Sequence, residues 1–220
     1  IRFGALATMS QVEHSELVLA ELPALAEAAR VVGSVQIRNR ATLAGNICNG
    51  SPAADTAPPL LVYAATVVVA GPDGERQVPI DDFILGPRKV DLQQGELVSA
   101  IEVPIPASDF GAAYTRLVRR RGTDLASVTM CASVDGAGAT QLAYGSVGPR
   151  AFLVSDQSGV LADVTAAPEQ RAAVLEELLS QATPSPRSIR ASPDYRLAML
   201  SVLAMRAVET ALDRRSGSAA

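Results

Sequence analysis

The chain has 220 residues, enough for one large domain or two small ones. Its 48% hydrophobic content can build a core without disulfides, and with only 4% aromatics and no Trp that core must rest on Ala, Val and Leu. A net charge of −4 gives no overall pull on phosphate and speaks against nucleic acid as a partner, two cysteines are too few for an iron–sulfur cluster, and one His does not make a zinc site.

No apolar run approaches the length of a membrane span, and Ile1-Arg2-Phe3 does not open as a charged-then-apolar signal. With the free thiols of Cys48 and Cys131, this gives a cytoplasmic expectation. A start directly in strand-like sequence, without Met, leads us to expect a further segment ahead of Ile1.

In chain order, residues 2–6 read as a short strand, and Thr8 or Ser10 can cap the helix after it. His14 lies in a polar stretch and reads as solvated. Pro23 suits a first helical turn, with Leu22, Leu25, Ala26, Ala29 and Val32 at helical spacing until Gly33-Ser34. Residues 35–37 read as a brief apolar strand end feeding a glycine loop at 42–46. A short buried helix then spans about 53–65. Residues 66–70, TVVVA, are β-branched and read as a buried strand, turned by Gly71-Pro72-Asp73-Gly74 into a second strand at 75–80. Residues 97–103 form another strand, and Pro104-Ile105-Pro106 marks the expected domain boundary, since neither proline can donate to a sheet ladder.

Beyond it, residues 112–118, 127–134 and 141–147 read as three strands, the last two joined by Asp135-Gly136-Ala137-Gly138. Helices follow at about 168–181 and 194–214. The second carries Leu197, Leu200, Ala204, Ala207, Val208 and Ala211 on one face, with Arg196, Arg206 and Arg214 off it. Residues 216–220 read as a frayed tail.

The most informative stretch is residues 37–60, IRNRATLAGNICNGSPAADTAPPL. Thr42, Gly45 and Asn46 with few bulky neighbours let the backbone approach something flat or phosphorylated, although a plain strand-to-helix turn has the same composition. Asp55 before Thr56-Ala57-Pro58 reads as a helix start. Further segments are the opening Ile1-Arg2-Phe3-Gly4-Ala5, Val78-Pro79-Ile80-Asp81-Asp82-Phe83 with Gly86 and Arg88, Glu96-Leu97-Val98 running to Pro104, Arg120-Arg121 with Asp124-Leu125-Ala126, and Tyr195-Arg196 with Met199, Val202, Leu203, Arg206 and Ala207. Together these resemble the flavoprotein (medium) subunits of molybdenum hydroxylases, the xanthine dehydrogenase and carbon monoxide dehydrogenase group.

The resemblance implies an α+β fold. Residues 1–106 would be part of an α/β FAD-binding domain of the p-cresol methylhydroxylase type, lacking its N-terminal lobe. Residues 107–215 would form a C-terminal domain, a three-stranded antiparallel sheet with helices. It implies FAD as cofactor, bound by Thr42, Leu43, Ala44, Gly45 and Asn46, by Asp55 as a hydrogen-bond acceptor, by Val98 along the flavin and by Arg116 near its ring. Read as residues alone, Asp55 is equally a helix cap, Asn46 a turn residue, Val98 a core strand residue and Arg116 a solvated strand end. Ala44 stands where the family has a second glycine, which strains the backbone only if φ there is positive.

The implied function is electron transfer through flavin to an acceptor, with substrate chemistry on a molybdopterin large subunit and electrons arriving from 2Fe-2S clusters on a small subunit. The chain would work in a hetero-oligomer. The family's first FAD turn, A-G-G-[TS], does not occur in residues 1–220. That leads us to expect weak FAD binding, or none, by this chain alone, and it keeps open a second reading, a non-catalytic docking scaffold with little or no FAD binding. A phosphate loop of the G-x-x-x-x-G-K-[ST] type is also missing, which disfavours an unrelated nucleotide-binding module. Arg119-Arg120-Arg121, without aromatic neighbours, reads as ion pairs or a subunit contact.

Overall fold

The computed structural model describes residues 1–217. In its first half, β1 (Arg2–Gly4) leads into α1 (Met9–His14), α2 (Glu16–Glu21) and α3 (Pro23–Arg30). Thr8 caps α1 in a reciprocal box with Gln11, and Pro23 occupies the first turn of α3, where its missing N–H is no loss. Next come α4 (Val35–Arg38), α5 (Leu43–Cys48) and α6 (Ala57–Val62). The expected hairpin follows as β2 (Thr66–Gly71) and β3 (Gly74–Pro79), with Gly74 at φ 114 where glycine is needed. After α7 (Ile80–Phe83), β4 (Ile84–Gly86) and β5 (Lys89–Val90), strand β6 (Leu97–Glu102) inserts between β1 and β2. The sheet order is β1-β6-β2-β3, antiparallel throughout.

The second half is a meander of β7 (Gly111–Leu117), β8 (Val128–Val134), β9 (Thr140–Gly145) and β10 (Phe152–Asp156), followed by α8 (Pro168–Leu179) and α9 (Pro193–Arg215). The α+β reading holds, but this sheet has four strands where three are expected from the sequence. The added strand, β10, lies past the Gly148-Pro149 turn and is mostly half-buried, so its apolar run, Phe152-Leu153-Val154, is too short to announce a strand.

Strand β8 ties the two halves together. Every one of its residues is buried. Val128, Met130, Ala132 and Val134 point into one core with Leu200, Ala204 and Val208 of α9, whereas Cys131 points into the other, with Leu60, Leu61 and Val62 of α6. Period-two alternation thus makes one strand the floor of two cores. Strand β7 lies at the sheet edge, where unpaired backbone groups need cover. Glu27 of α3 accepts the Tyr114 N–H at 3.0 Å, and Arg214 of α9 donates to the Ala112 carbonyl at 2.6 Å while pairing with Glu27.

Three local expectations are corrected. Residues 35–37 are helical, because the Ser34 hydroxyl caps the turn by accepting the Ile37 N–H at 3.3 Å; Val35 and Ile37 face solvent. Residues 42–46 are not an open loop but the cap and first turn of α5. On α9 the buried face begins at Arg196 and leaves Leu197 partly exposed, one position away from the expected stripe. Ser216 closes α9, and of the tail expected to fray, residues 218–220 lie outside the described residues.

Gly111 marks where β7 crosses the end of α9. A Cβ there would run into the Ala211 carbonyl and come within 2.6 Å of the Arg215 nitrogen. Both obstacles are backbone, so we expect Gly111→Ala to cost at least about 2 kcal/mol in urea unfolding. Gly86→Ala, where a Cβ meets nothing within 4 Å, should stay within about 0.5 kcal/mol of the parent.

Candidate functional site

The segment 41–46 is pinned to the turn before α1. Met9 N–H donates to the Ala41 carbonyl at 2.8 Å, Leu43 N–H to the Ala7 carbonyl at 3.0 Å, and Thr8 bridges Thr42. Thr42 then caps α5, its hydroxyl oxygen accepting the Gly45 N–H at 2.9 Å. A Cβ on Gly45 would sit 2.8 Å from that oxygen, so the glycine here serves the cap's close approach. The Leu43 and Ala44 side chains are buried in the core and offer a ligand only their backbone. Ala44 is not among the residues with positive φ, so the methyl that replaces the family's second glycine brings no strain. Its N–H has no hydrogen-bond acceptor among the described residues, and Gly45 beside it is exposed. The turn therefore presents an accessible backbone edge at a helix start, with a partial positive charge.

Asn46 connects this turn to the next element. Its Oδ1 accepts the Thr56 hydroxyl at 2.7 Å, and Thr56 stands at the N-cap position of α6 without capping it through its side chain. Asp55 is thus neither the cap of α6 nor a free acceptor. Its Oδ1 accepts the Tyr114 hydroxyl at 2.6 Å, and Arg116 Nη1 lies 3.2 and 3.3 Å from its two oxygens. Asp55 is 7% exposed, and that burial pushes its carboxyl above the usual range despite the Tyr114 bond and the Arg116 charge. Burial, then the Asp55 charge, likewise raise the Tyr114 hydroxyl well above its ordinary value. Arg116 is accordingly not a solvated strand end, since it forms an ion pair from β7 with Asp55 in the turn before α6. Its Nε and Nη2 make no hydrogen bond among the described residues, so two nitrogens of the fork, with three N–H groups, remain for a ligand.

A continuous polar chain therefore runs from the α5 turn through Asn46 and Thr56 to the neighbouring Asp55 and on to Arg116. Val98 stands apart from it. Its side chain is buried on β6, the strand against which α5 packs, opposite Val69. Sequence reasoning missed Tyr114 and Thr56. Tyr114 was available as a signal, because it lies two residues before Arg116 and so projects from the same face of β7. The arginine run closes on itself: Arg119 pairs with Asp124 at 3.1 Å and Arg120 donates to the Thr123 carbonyl. A cavity of about 800 Å³ lies elsewhere, between α8 and α9, lined by Leu175, Val202 and Met205 among others, and holds none of these polar groups. No helix among the described residues is long and apolar enough to cross a membrane.

A helix start with an unengaged N–H, a glycine that keeps it bare and a half-engaged guanidinium beside it suit a dinucleotide carrying phosphates and a polar ring. The class defined is an α+β protein of two four-stranded sheets built around such a site. Comparison with known proteins makes it specific. Residues 1–106 match the FAD binding domain in molybdopterin dehydrogenase, and residues 112–211 match the CO dehydrogenase flavoprotein C-terminal domain. The xanthine dehydrogenase FAD-binding subunit of Escherichia coli O157:H7 is 30% identical over 99% of this chain and 76% of that protein. The carbon monoxide dehydrogenase medium chain of Hydrogenophaga pseudoflava is 31% identical over 96% of this chain and 74% of that protein. A solved structure of reconstituted CO dehydrogenase from Oligotropha carboxidovorans superposes with a TM-score of 0.87 at 26% identity, covering 97% of this chain and 75% of that one. The chain belongs to the family of FAD-binding medium subunits of molybdenum hydroxylases.

Asp55 also makes stability depend on pH. A carboxyl whose folded pKa lies above the unfolded value contributes stability at low pH that is lost as pH rises through the folded pKa. Asp55→Asn does not titrate. We therefore expect the parent's stability relative to this variant to be greatest near about pH 4 and to shrink toward about pH 7, measured by denaturant unfolding at each pH. A gap that widens as pH rises would contradict the assignment.

Proposed function

We propose that this chain holds FAD at the junction of its two halves and passes electrons through it to an acceptor, as the flavin-bearing member of a hetero-oligomer. The observation that carries the proposal is the polar chain from the α5 turn to Arg116, which spans both halves and ends in unengaged donors at each end. Within this proposal the boundary lies at 106/107, supported by the prolines at 104 and 106 and by the separate sheets on either side.

The residues take distinct roles. The backbone of Leu43, Ala44, Gly45 and Asn46 approaches the polar part of the cofactor, and the Thr42 hydroxyl fixes that backbone by capping it. Val98 supplies an apolar floor under α5. Asp55 and Tyr114 hold Arg116 in place, and Arg116 offers its remaining donors to the flavin ring. A cation there favours the reduced, anionic ring and raises its potential. Bound FAD supplies chemistry that takes up electrons singly and releases them in pairs. The relatives are named as subunits or chains of xanthine and carbon monoxide dehydrogenases. On that likeness we assign the partners as an iron–sulfur small subunit that delivers electrons and a molybdopterin large subunit that performs the substrate chemistry.

Titration of FAD into the purified chain, followed by flavin fluorescence, tests the reading and separates it from a docking scaffold. We expect weak but saturable binding that Gly45→Val weakens further, by at least about tenfold, because the added side chain crowds the Thr42 cap and the exposed edge together. The fold should survive with a loss near about 1 kcal/mol, the worth of one cap. Unchanged affinity in Gly45→Val would remove this turn from the site, and no binding by the parent chain would favour the scaffold.

A further inference from the structure

Arg196, near the start of α9, is 2% exposed. Its Nε donates to the Ser127 carbonyl at 2.9 Å, while its Nη1, withdrawn from water, has no partner among the described residues. It lines a cavity of about 420 Å³ together with Arg190, Ser146, Ser51, Ser185 and Ser188. Ser146 brings a second unpartnered buried atom, its Oγ, and stands at φ 66, a backbone conformation strained for any side chain. No carboxylate lines this cavity, and neither arginine joins an ion pair among the described residues.

A buried guanidinium without a counter-charge is costly, and a second arginine beside it makes the cost larger. The protein keeps both, around a space rimmed by hydroxyls. We propose that this cavity is a binding site for a phosphate-class oxyanion, with Arg196 Nη1 and Arg190 as charged donors and the Ser146 hydroxyl as a third. Each orphaned atom then gains the partner it lacks. The volume falls in the range of small-molecule sites, about 300–1,000 Å³, which leaves room for a phosphate carried on a small organic group. Burial and the Arg190 charge both disfavour the Arg196 cation, and an anion between them reverses that penalty. One wall is the segment 51–53, whose Pro52 carbonyl accepts the Ser146 N–H at 2.7 Å. The anion would therefore brace the stretch that runs on into Asp55.

Thermal unfolding of the purified chain tests this, with inorganic phosphate or phenyl phosphate titrated at an ionic strength held constant with sodium chloride. We expect a saturable rise in Tm for the parent, and apparent affinities at least about tenfold weaker in Arg190→Gln and in Ser146→Gly. Ser146→Gly also relieves the strained φ, so its Tm without phosphate should not fall, which separates loss of the ligand from damage to the fold. FAD affinity in Arg190→Gln should equal that of the parent, which distinguishes this cavity from the flavin site and leaves the flavin reading untouched by either result. Tighter binding of phenyl phosphate assigns the cavity to a phosphate ester, and equal binding to the free ion. No rise above the chloride control, or identical titrations in Arg190→Gln, would overturn the proposal.

Discussion

A carboxylate taken out of water is destabilising by several kcal/mol unless its oxygens are engaged, and the Asp55 carboxylate is nearly sealed from solvent. Its partners come from the other half of the molecule. Tyr114 and Arg116 lie two residues apart on β7, so the pleat turns both toward the same oxygens. The arrangement works only if β7 sits where α6 brings Asp55. Breaking it would leave a buried charge alone, which costs more than the intact pair contributes. The contact thus ties the turn before α6 to β7 and at the same time directs the free side of the Arg116 fork.

Apolar packing enforces the same geometry. Because β8 alternates between two cores, shifting its sheet would expose Cys131 on one side or Met130 on the other. Glu27 and Arg214 add a clamp on the β7 edge from two different helices. The candidate flavin site is therefore placed by rigid elements that each have a separate reason to be where they are. The Arg190–Arg196 cavity abuts the same stretch of chain, which makes residues 46–56 the segment on which both sites converge.

Much of the fold was legible because the signals are local. Pro23 at a helix start, the Gly71–Gly74 turn and the β-branched run of β2 each dictate a conformation within a few residues. The missed features depend on partners distant in sequence. Residues 35–37 look apolar enough for a strand, but the Ser34 cap decides for helix. Arg196 looks like a solvent-facing residue until the Ser127 carbonyl, 69 positions away, receives it. Strand β10 becomes a strand only by pairing with β9. At the candidate site, the family resemblance pointed to the α5 turn, Asp55 and Arg116 but said nothing of the contacts that join them. It did not foresee that Asp55 would engage Tyr114 and Arg116, since those partners lie 59 and 61 positions away on β7.

The most direct test of this picture is a double-mutant cycle on FAD affinity with Asp55→Asn, Arg116→Gln and the double variant. If Asp55 acts by holding Arg116 in place, each single change should weaken FAD about tenfold and the double should be little worse than Arg116→Gln alone. Additive losses would mean that the two residues reach the cofactor independently. Unchanged affinity in Arg116→Gln would mean that the pair only ties the α6 turn to β7, and that the flavin does not lie beside it.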